Sequence, residues 1–325
     1  MSTAYDRAFE WTREHVESGT MPTAVLGIAD ASGILALEAF GGASVDDHYP
    51  LFSVTKPLVG LTALSLVEEG RLTPTTPLAE AVPEFAALRP DEVQLRHLVS
   101  HTSGIVETPM DRPNLRGSLL AGGRDFAAGT AARYSTIAFE GVAALIEHAA
   151  RTPWRSHFAS VLGRAGASGL TFDRESTRHA PVDAAEYDLD WDAFSRLGHP
   201  GAGAFGRAVD LLSVGQALLR DDGSLVAPIT VEAMRRPLTA GLPKLEPYTA
   251  DRGRDFAFAW NLYNEAPNVL TRDTYGHGGW AGTEFWITPS LGVCFVLLTN
   301  RTDLGRFGYR SDQLHNIVAA AASRV

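Results

Sequence analysis

Over residues 3–18 apolar side chains recur on a helical period. Tyr5, Phe9 and Val16 share one side among charged neighbours, which predicts an amphipathic helix. Two apolar runs follow, at 23–29 and 34–40. The turn-forming residues Asp30, Ala31, Ser32 and Gly33 separate them, and the pair predicts a β-hairpin. From 53 to 69 the chain is apolar almost throughout, until Gly70. Pro57 sits near the start, where proline costs a helix little, so the stretch reads as one buried helix. Helical patterning and Pro/Gly connections dominate 75–230, most clearly at 139–150 and 208–220. The period then changes. Segments 256–263, 283–288 and 293–299 predict strands, 289–292 a turn, and 314–322 a closing helix.

This order predicts an α/β chain of the α+β type: an antiparallel sheet flanked by helices, plus a helical lobe. Residues 1–75 and 231–325 are expected to form one subdomain sharing the sheet. Residues 76–230 are expected to form a mostly helical one, with the active site in the cleft between.

Composition narrows the function classes. With 325 residues, 45% apolar and 20% charged, the chain is globular and long enough for a large core. Asp and Glu number 38 against 28 Lys and Arg, a formal charge of −10, and no basic run occurs. Nucleic acid and anionic membrane surfaces are therefore not expected partners. The single Cys294 excludes an intrachain disulfide and any multi-cysteine metal site, and its apolar strand predicts an inert buried thiol. No apolar run approaches the ~18 residues of a membrane span. The polar N-terminus lacks the order of a secretory signal, so a soluble cytoplasmic location is expected.

Three stretches carry chemistry. Ser53 and Lys56 lie three apart at the start of the long helix, hence on one face, where a dry lysine can activate the serine hydroxyl. Tyr134 precedes the 139–150 helix, and a phenol beside Lys56 is expected to lose its proton more easily. Residues 275–282 hold Gly276, Gly278, Gly279 and Gly282 around His277 and Trp280. Such backbone admits a ligand closely, and an amide there could join that of Ser53 as an oxyanion hole. Trp280 is expected in the pocket, Trp260 and Trp286 in the core.

Other patterns point elsewhere only superficially. Gly201-x-Gly203-x-x-Gly206 has the glycine spacing of a dinucleotide loop, but no strand precedes it. His97 and His101 have zinc-protease spacing, but Leu98 stands where the glutamate belongs, so both are expected to satisfy loop backbone. No Gly-x-Ser-x-Gly occurs.

Taken in order, Ser53-x-x-Lys56, Tyr134-x-Thr136 and His277-x-Gly279 resemble the serine β-lactamase-like superfamily, in its class C β-lactamase, penicillin-binding and family VIII carboxylesterase branch. The stretch 95–105, with His101-Thr102-Ser103-Gly104, and the segment 201–212 add to the likeness, which spans roughly 20–320. The resemblance implies a β-lactamase/transpeptidase-like fold and no cofactor or metal. It implies Ser53 as nucleophile, Lys56 and Tyr134 as the proton-handling pair, and the amides of Ser53 and Trp280 as the oxyanion hole. His277, Gly279 and Thr136 would line the substrate site. Two positions depart from the pattern. Thr136 replaces an asparagine and offers no amide donors, and His277 replaces the lysine of most β-lactamases. With the absent signal, these departures favour a small ester as substrate. An amide or D-amino-acid peptide hydrolase, a weak β-lactamase, an acyltransferase and a non-catalytic binding protein with a vestigial pocket are the alternatives. Segment 107–125 is expected to wall the pocket, with Glu107 and Asp111 in a solvated loop.

Overall fold

The computed structural model describes residues 4–265 and 268–324. Residues 1–3, 266–267 and 325, which fall in the expected first helix and sheet subdomain, lie outside the described residues. Nine strands occur among those described: β1 (Ala24–Asp30), β2 (Ile34–Phe40), β3 (Tyr49–Pro50), β4 (Phe205–Gly206), β5 (Asp255–Phe256), β6 (Asn261–Leu262), β7 (Tyr275–Gly278), β8 (Glu284–Thr288) and β9 (Val293–Thr299). Seven form one antiparallel sheet in the order β2-β1-β9-β8-β7-β6-β5, and β3 pairs only with β4. Ala24 lies opposite Thr299. The first and last thirds of the chain thus share the sheet, as the hydrophobic pattern predicts.

The central strands are apolar without interruption because both faces are covered. On β9, Cys294, Val296 and Leu298 face one core, and Val293, Phe295 and Leu297 face another. Helices Thr55–Glu68 and Ala208–Arg220 cover the first face, with Ala138–Ala150 packed behind Thr55–Glu68. Helices Asp6–Glu17 and Ser311–Ala322 cover the second. Every residue from Thr55 to Leu66 is buried, which explains why that stretch shows no polar stripe.

Two expectations need correction. Segment 256–263 is two short strands reversed by residues 257–260, because Ala259 adopts a left-handed φ of 66°. Its amide donates to the Val99 carbonyl at 3.0 Å, and its methyl group packs on Gly60. A buried turn is as apolar as a buried strand, so composition could not separate them. Helix Ala208–Arg220, expected in the helical subdomain, instead packs on β1 and β9. Gly215 permits this, since a Cβ there would lie 2.6 Å from the Cys294 sulfur.

Candidate active site

The chain is pinned on both sides as it approaches Ser53. Leu51 N–H donates to the Ala204 carbonyl at 2.9 Å, and Ala204 N–H to Thr55 Oγ1 at 3.1 Å. Between them Phe52 takes a φ of 44°, a conformation an L-residue adopts only where its surroundings enforce it. Its fully buried ring is stacked on Phe194, with centroids 5.2 Å apart. One turn of 3₁₀ helix, Phe52–Val54, then runs into Thr55–Glu68, which places Ser53 and Lys56 on one face.

Lys56 is fully buried. Its Nζ lies 3.0 Å from Ser53 Oγ, 2.9 Å from the Gly201 carbonyl and 3.4 Å from Thr136 Oγ1. Three oxygens match the three N–H bonds of an ammonium. Burial nevertheless pushes the pKa down to about 7, against the pull of the Glu107 charge. In the neutral amine two N–H bonds still find Gly201 and Thr136, and the lone pair is left for the Ser53 proton.

The Tyr134 ring lies below Lys56, with Nζ 4.7 Å from its centroid. His101 stacks on that ring at 4.2 Å, and Tyr248 packs at 5.1 Å. The expected easy ionisation of the phenol is corrected here. Burial, with Tyr248 adding, holds its pKa well above 10, and the hydrogen bond to Ser53 opposes this only in part. Tyr134 therefore stands as a neutral hydroxyl.

Glu107 holds the start of helix Ala138–Ala150. Its carboxylate accepts from the Thr136 amide and, at 3.3 Å, from the Ile137 amide. Glu107 is exposed on its loop, as expected, and its carboxylate also serves these two amides at the start of the helix. Crowding raises its pKa above the usual carboxylate range, while the Thr136 amide and Lys56 pull it down.

His277 sits on β7 with its ring 6.1 Å from that of Tyr134. Its Nδ1 is 2.7 Å from the Gly278 carbonyl; a carbonyl only accepts, so the ring proton is on Nδ1. Its Nε2 is buried without a partner. Burial and the charge of Lys56 push the pKa down to about 3, so the ring is neutral. Gly279 follows, its amide 2.6 Å from the Thr283 carbonyl. A Cβ at Gly279 would fall 1.9 Å from Thr283 Oγ1 and 2.5 Å from the Leu51 carbonyl, so only glycine fits. Trp280 packs edge-on against Phe52 at 5.4 Å and Tyr187 at 5.8 Å.

A cavity of about 670 Å³ opens over these groups. Glu107 to Asp111, Tyr134, Thr136, Tyr187, Glu246, Pro247 and Trp280 are among the residues that line it. Of the segment 107–125 expected to wall the pocket, residues 107–111 line it. Trp260 and Trp286 are buried. Ser53, Lys56, Tyr134 and Thr136 are thus brought together, with His277, Gly279 and Trp280 close by.

The remaining patterns have structural uses. Gly201 passes close to Thr136, where a Cβ would meet its carbonyl at 2.7 Å, and so delivers its own carbonyl to Lys56. The His97 and His101 rings accept from the backbone amides of Gln94 and Ser135 at 3.1 Å each. No group of side chains among the described residues could hold a metal ion. Cys294 is buried, its thiol pushed up to about 12. Sequence reasoning missed Gly201 as a lysine acceptor, His101 as the platform under Tyr134, and Tyr248. The only available signal was their place in the two stretches of family likeness, or, for Tyr248, none.

Comparisons with known proteins show what the chain is similar to. Esterase EstB of Burkholderia gladioli is 26% identical, covering 89% of this chain and 86% of its own length. Penicillin-binding protein 4 of Amycolatopsis lactamdurans is 25% identical, covering 89% and 82%. Among solved structures, EstCE1, a hydrolase with promiscuous acyltransferase activity, superposes with a TM-score of 0.78 at 20% identity over 98% of both chains. The family model described as Beta-lactamase matches residues 9–319, and the chain belongs to that family.

Proposed function

We propose that this protein is a serine hydrolase that cleaves a small carboxylic ester through an acyl intermediate on Ser53. The observation that carries this reading is the fully buried Lys56 amine, 3.0 Å from the Ser53 hydroxyl and titrating near neutrality. Neutral Lys56 takes the Ser53 proton as Oγ bonds the carbonyl carbon. The carbonyl oxygen, now negative, lies against the amides of Ser53 and Trp280. As the C–O bond to the alcohol breaks, Tyr134 gives its proton to the leaving oxygen and takes one from Lys56. Water then attacks the acyl carbon, its proton returns along the same relay, and Ser53 recovers its hydrogen.

An ester is favoured over a carboxylate-bearing amide by two residues. Neutral His277 offers no cation to a carboxylate, and Thr136 offers a single hydroxyl where an amide side chain would give two donors. The likeness to an esterase supports the same choice. The test is turnover of p-nitrophenyl butyrate with intact-mass analysis. A butyryl adduct on wild type that Ser53→Ala lacks is expected. Undiminished turnover by Ser53→Ala, or faster cleavage of the matched p-nitroanilide, overturns the reading.

A further inference from the structure

Lys56 accumulates positive charge when it takes the serine proton, and it does so out of contact with water. The groups around it differ in what they offer that charge. Ser53 Oγ, Thr136 Oγ1 and the Gly201 carbonyl are neutral acceptors. Burial and the Lys56 charge keep the rings of His101, His199 and His277 neutral, and Tyr134 keeps its proton. Arg133, on the cavity wall, is engaged by Asp125. Among the described residues, Glu107 is the one anion whose charge draws the Lys56 pKa upward. Both residues attach to Thr136, Lys56 through its hydroxyl and Glu107 through its amide. Glu107 also lines the cavity.

We propose that Glu107 is a positioning residue of the hydrolytic reaction: seated on the amides of Thr136 and Ile137, its carboxylate compensates the charge that Lys56 acquires from Ser53. No bond to Glu107 forms or breaks. The proton leaves Ser53 Oγ for Lys56 Nζ, and Glu107 remains ionised beside them. The proposal rests on the serine-hydrolase reading, but its test also has a readout independent of turnover.

The sequence supplies that readout, because Lys56 and Lys244 are the only two lysines in the chain. Lysine labelled with ¹³C at Cε therefore gives two resonances. Lys244, 2.8 Å from Asp255, serves as the internal control of folding. Glu107→Gln keeps an oxygen for the Thr136 amide and discards the charge. Its Lys56 titration midpoint is expected to fall by about one pH unit or more. The acid limb of kcat/KM should move down with it, and kcat should fall by roughly 10-fold with KM unchanged. A midpoint equal to that of wild type, or an effect on KM alone, overturns the proposal and leaves Glu107 a helix cap. Should the Lys244 signal show that Glu107→Gln misfolds, Glu107→Asp, which withdraws the charge by one methylene, decides: a lowered Lys56 midpoint supports the proposal and an unchanged one overturns it. A wild type that forms no acyl adduct refutes the hydrolase reading, while the Lys56 titration still judges the pairing by itself.

Discussion

The Thr283 hydroxyl donates to the Leu51 carbonyl at 3.1 Å, so the residue leading into β8 is bonded to the segment that delivers Ser53. Gly279 makes this contact possible by leaving room for both groups. The two amides proposed to hold the oxyanion, from Ser53 and Trp280, stand on opposite sides of this bond. Gly279→Ala should force the sides apart. A fall in kcat of ~10²-fold or more is expected, in line with loss of an oxyanion donor. Thermal unfolding measured alongside ester turnover checks it, and near-native kcat would show that the contact does not set the oxyanion site.

The three chemical groups should separate by kinetics. Ser53→Ala is expected to give no acyl adduct. Lys56→Met should lower kcat/KM by ~10³-fold, within the range of general-base removal. Tyr134→Phe should lower kcat by ~10²-fold with little change in KM, because the hydroxyl acts on the leaving group rather than on binding. Pre-steady-state turnover of p-nitrophenyl butyrate distinguishes these outcomes.

Lys56 also makes stability depend on pH. An unfolded lysine titrates near ~10.4, whereas folded Lys56 titrates near about 7. Between these values the unfolded chain binds the extra proton, so this residue makes stability rise with pH from about 7 to ~10 and fall on the way down. Lys56→Met removes that slope. At pH 7 it should be more stable than wild type by about 1–4 kcal/mol, as when a buried charge yields to an apolar side chain. Denaturant melts of both proteins across this range test the sign; a less stable Lys56→Met contradicts it.

A second buried charge also makes stability rise with pH, but it does so by stabilising the fold in its ionised form. Glu284 accepts from Trp286 Nε1 at 2.7 Å, Tyr309 Oη at 2.6 Å and His315 Nε2 at 2.6 Å, tying β8 to the C-terminal helix on the face away from Ser53. Burial raises its pKa, but His315 and the hydroxyl and indole donors outweigh that and leave it lowered. Its contribution is present above the usual glutamate range and lost as pH falls through the lowered value. Glu284→Ala should cost about 3 kcal/mol or more, because it leaves buried donors on Trp286, Tyr309 and His315 without their acceptor. Turnover per folded molecule should not change, and a large drop in kcat at full folding would contradict this assignment.

The legible parts of the sequence were those set by local spacing. Strand Val293–Thr299 and hairpin strand Ile34–Phe40 follow the hydrophobic runs residue for residue. Ser53 and Lys56 meet because three residues on a helix define a face. What escaped depends on contacts between distant segments. The turn at Ala259 is apolar because Gly60 lies against it, and nothing in 256–263 encodes that neighbour. Tyr134 lies beside Lys56, but the rings that bury it, His101 and Tyr248, arrive from two other loops. Glu107 is the exposed carboxylate its loop suggests, and only the fold brings the amides at 136 and 137 to it.

The pairing of β1 with β9 has a consequence for synthesis on the ribosome. The hairpin that precedes Ser53 finds its sheet partner only when residues 293–299 have been made, and the Leu51 anchor at Thr283 also comes late. A nascent chain carries Ser53, the proposed nucleophile, early yet is expected to stay inert until translation is almost complete. Fragments from premature termination should therefore be silent, not partially competent.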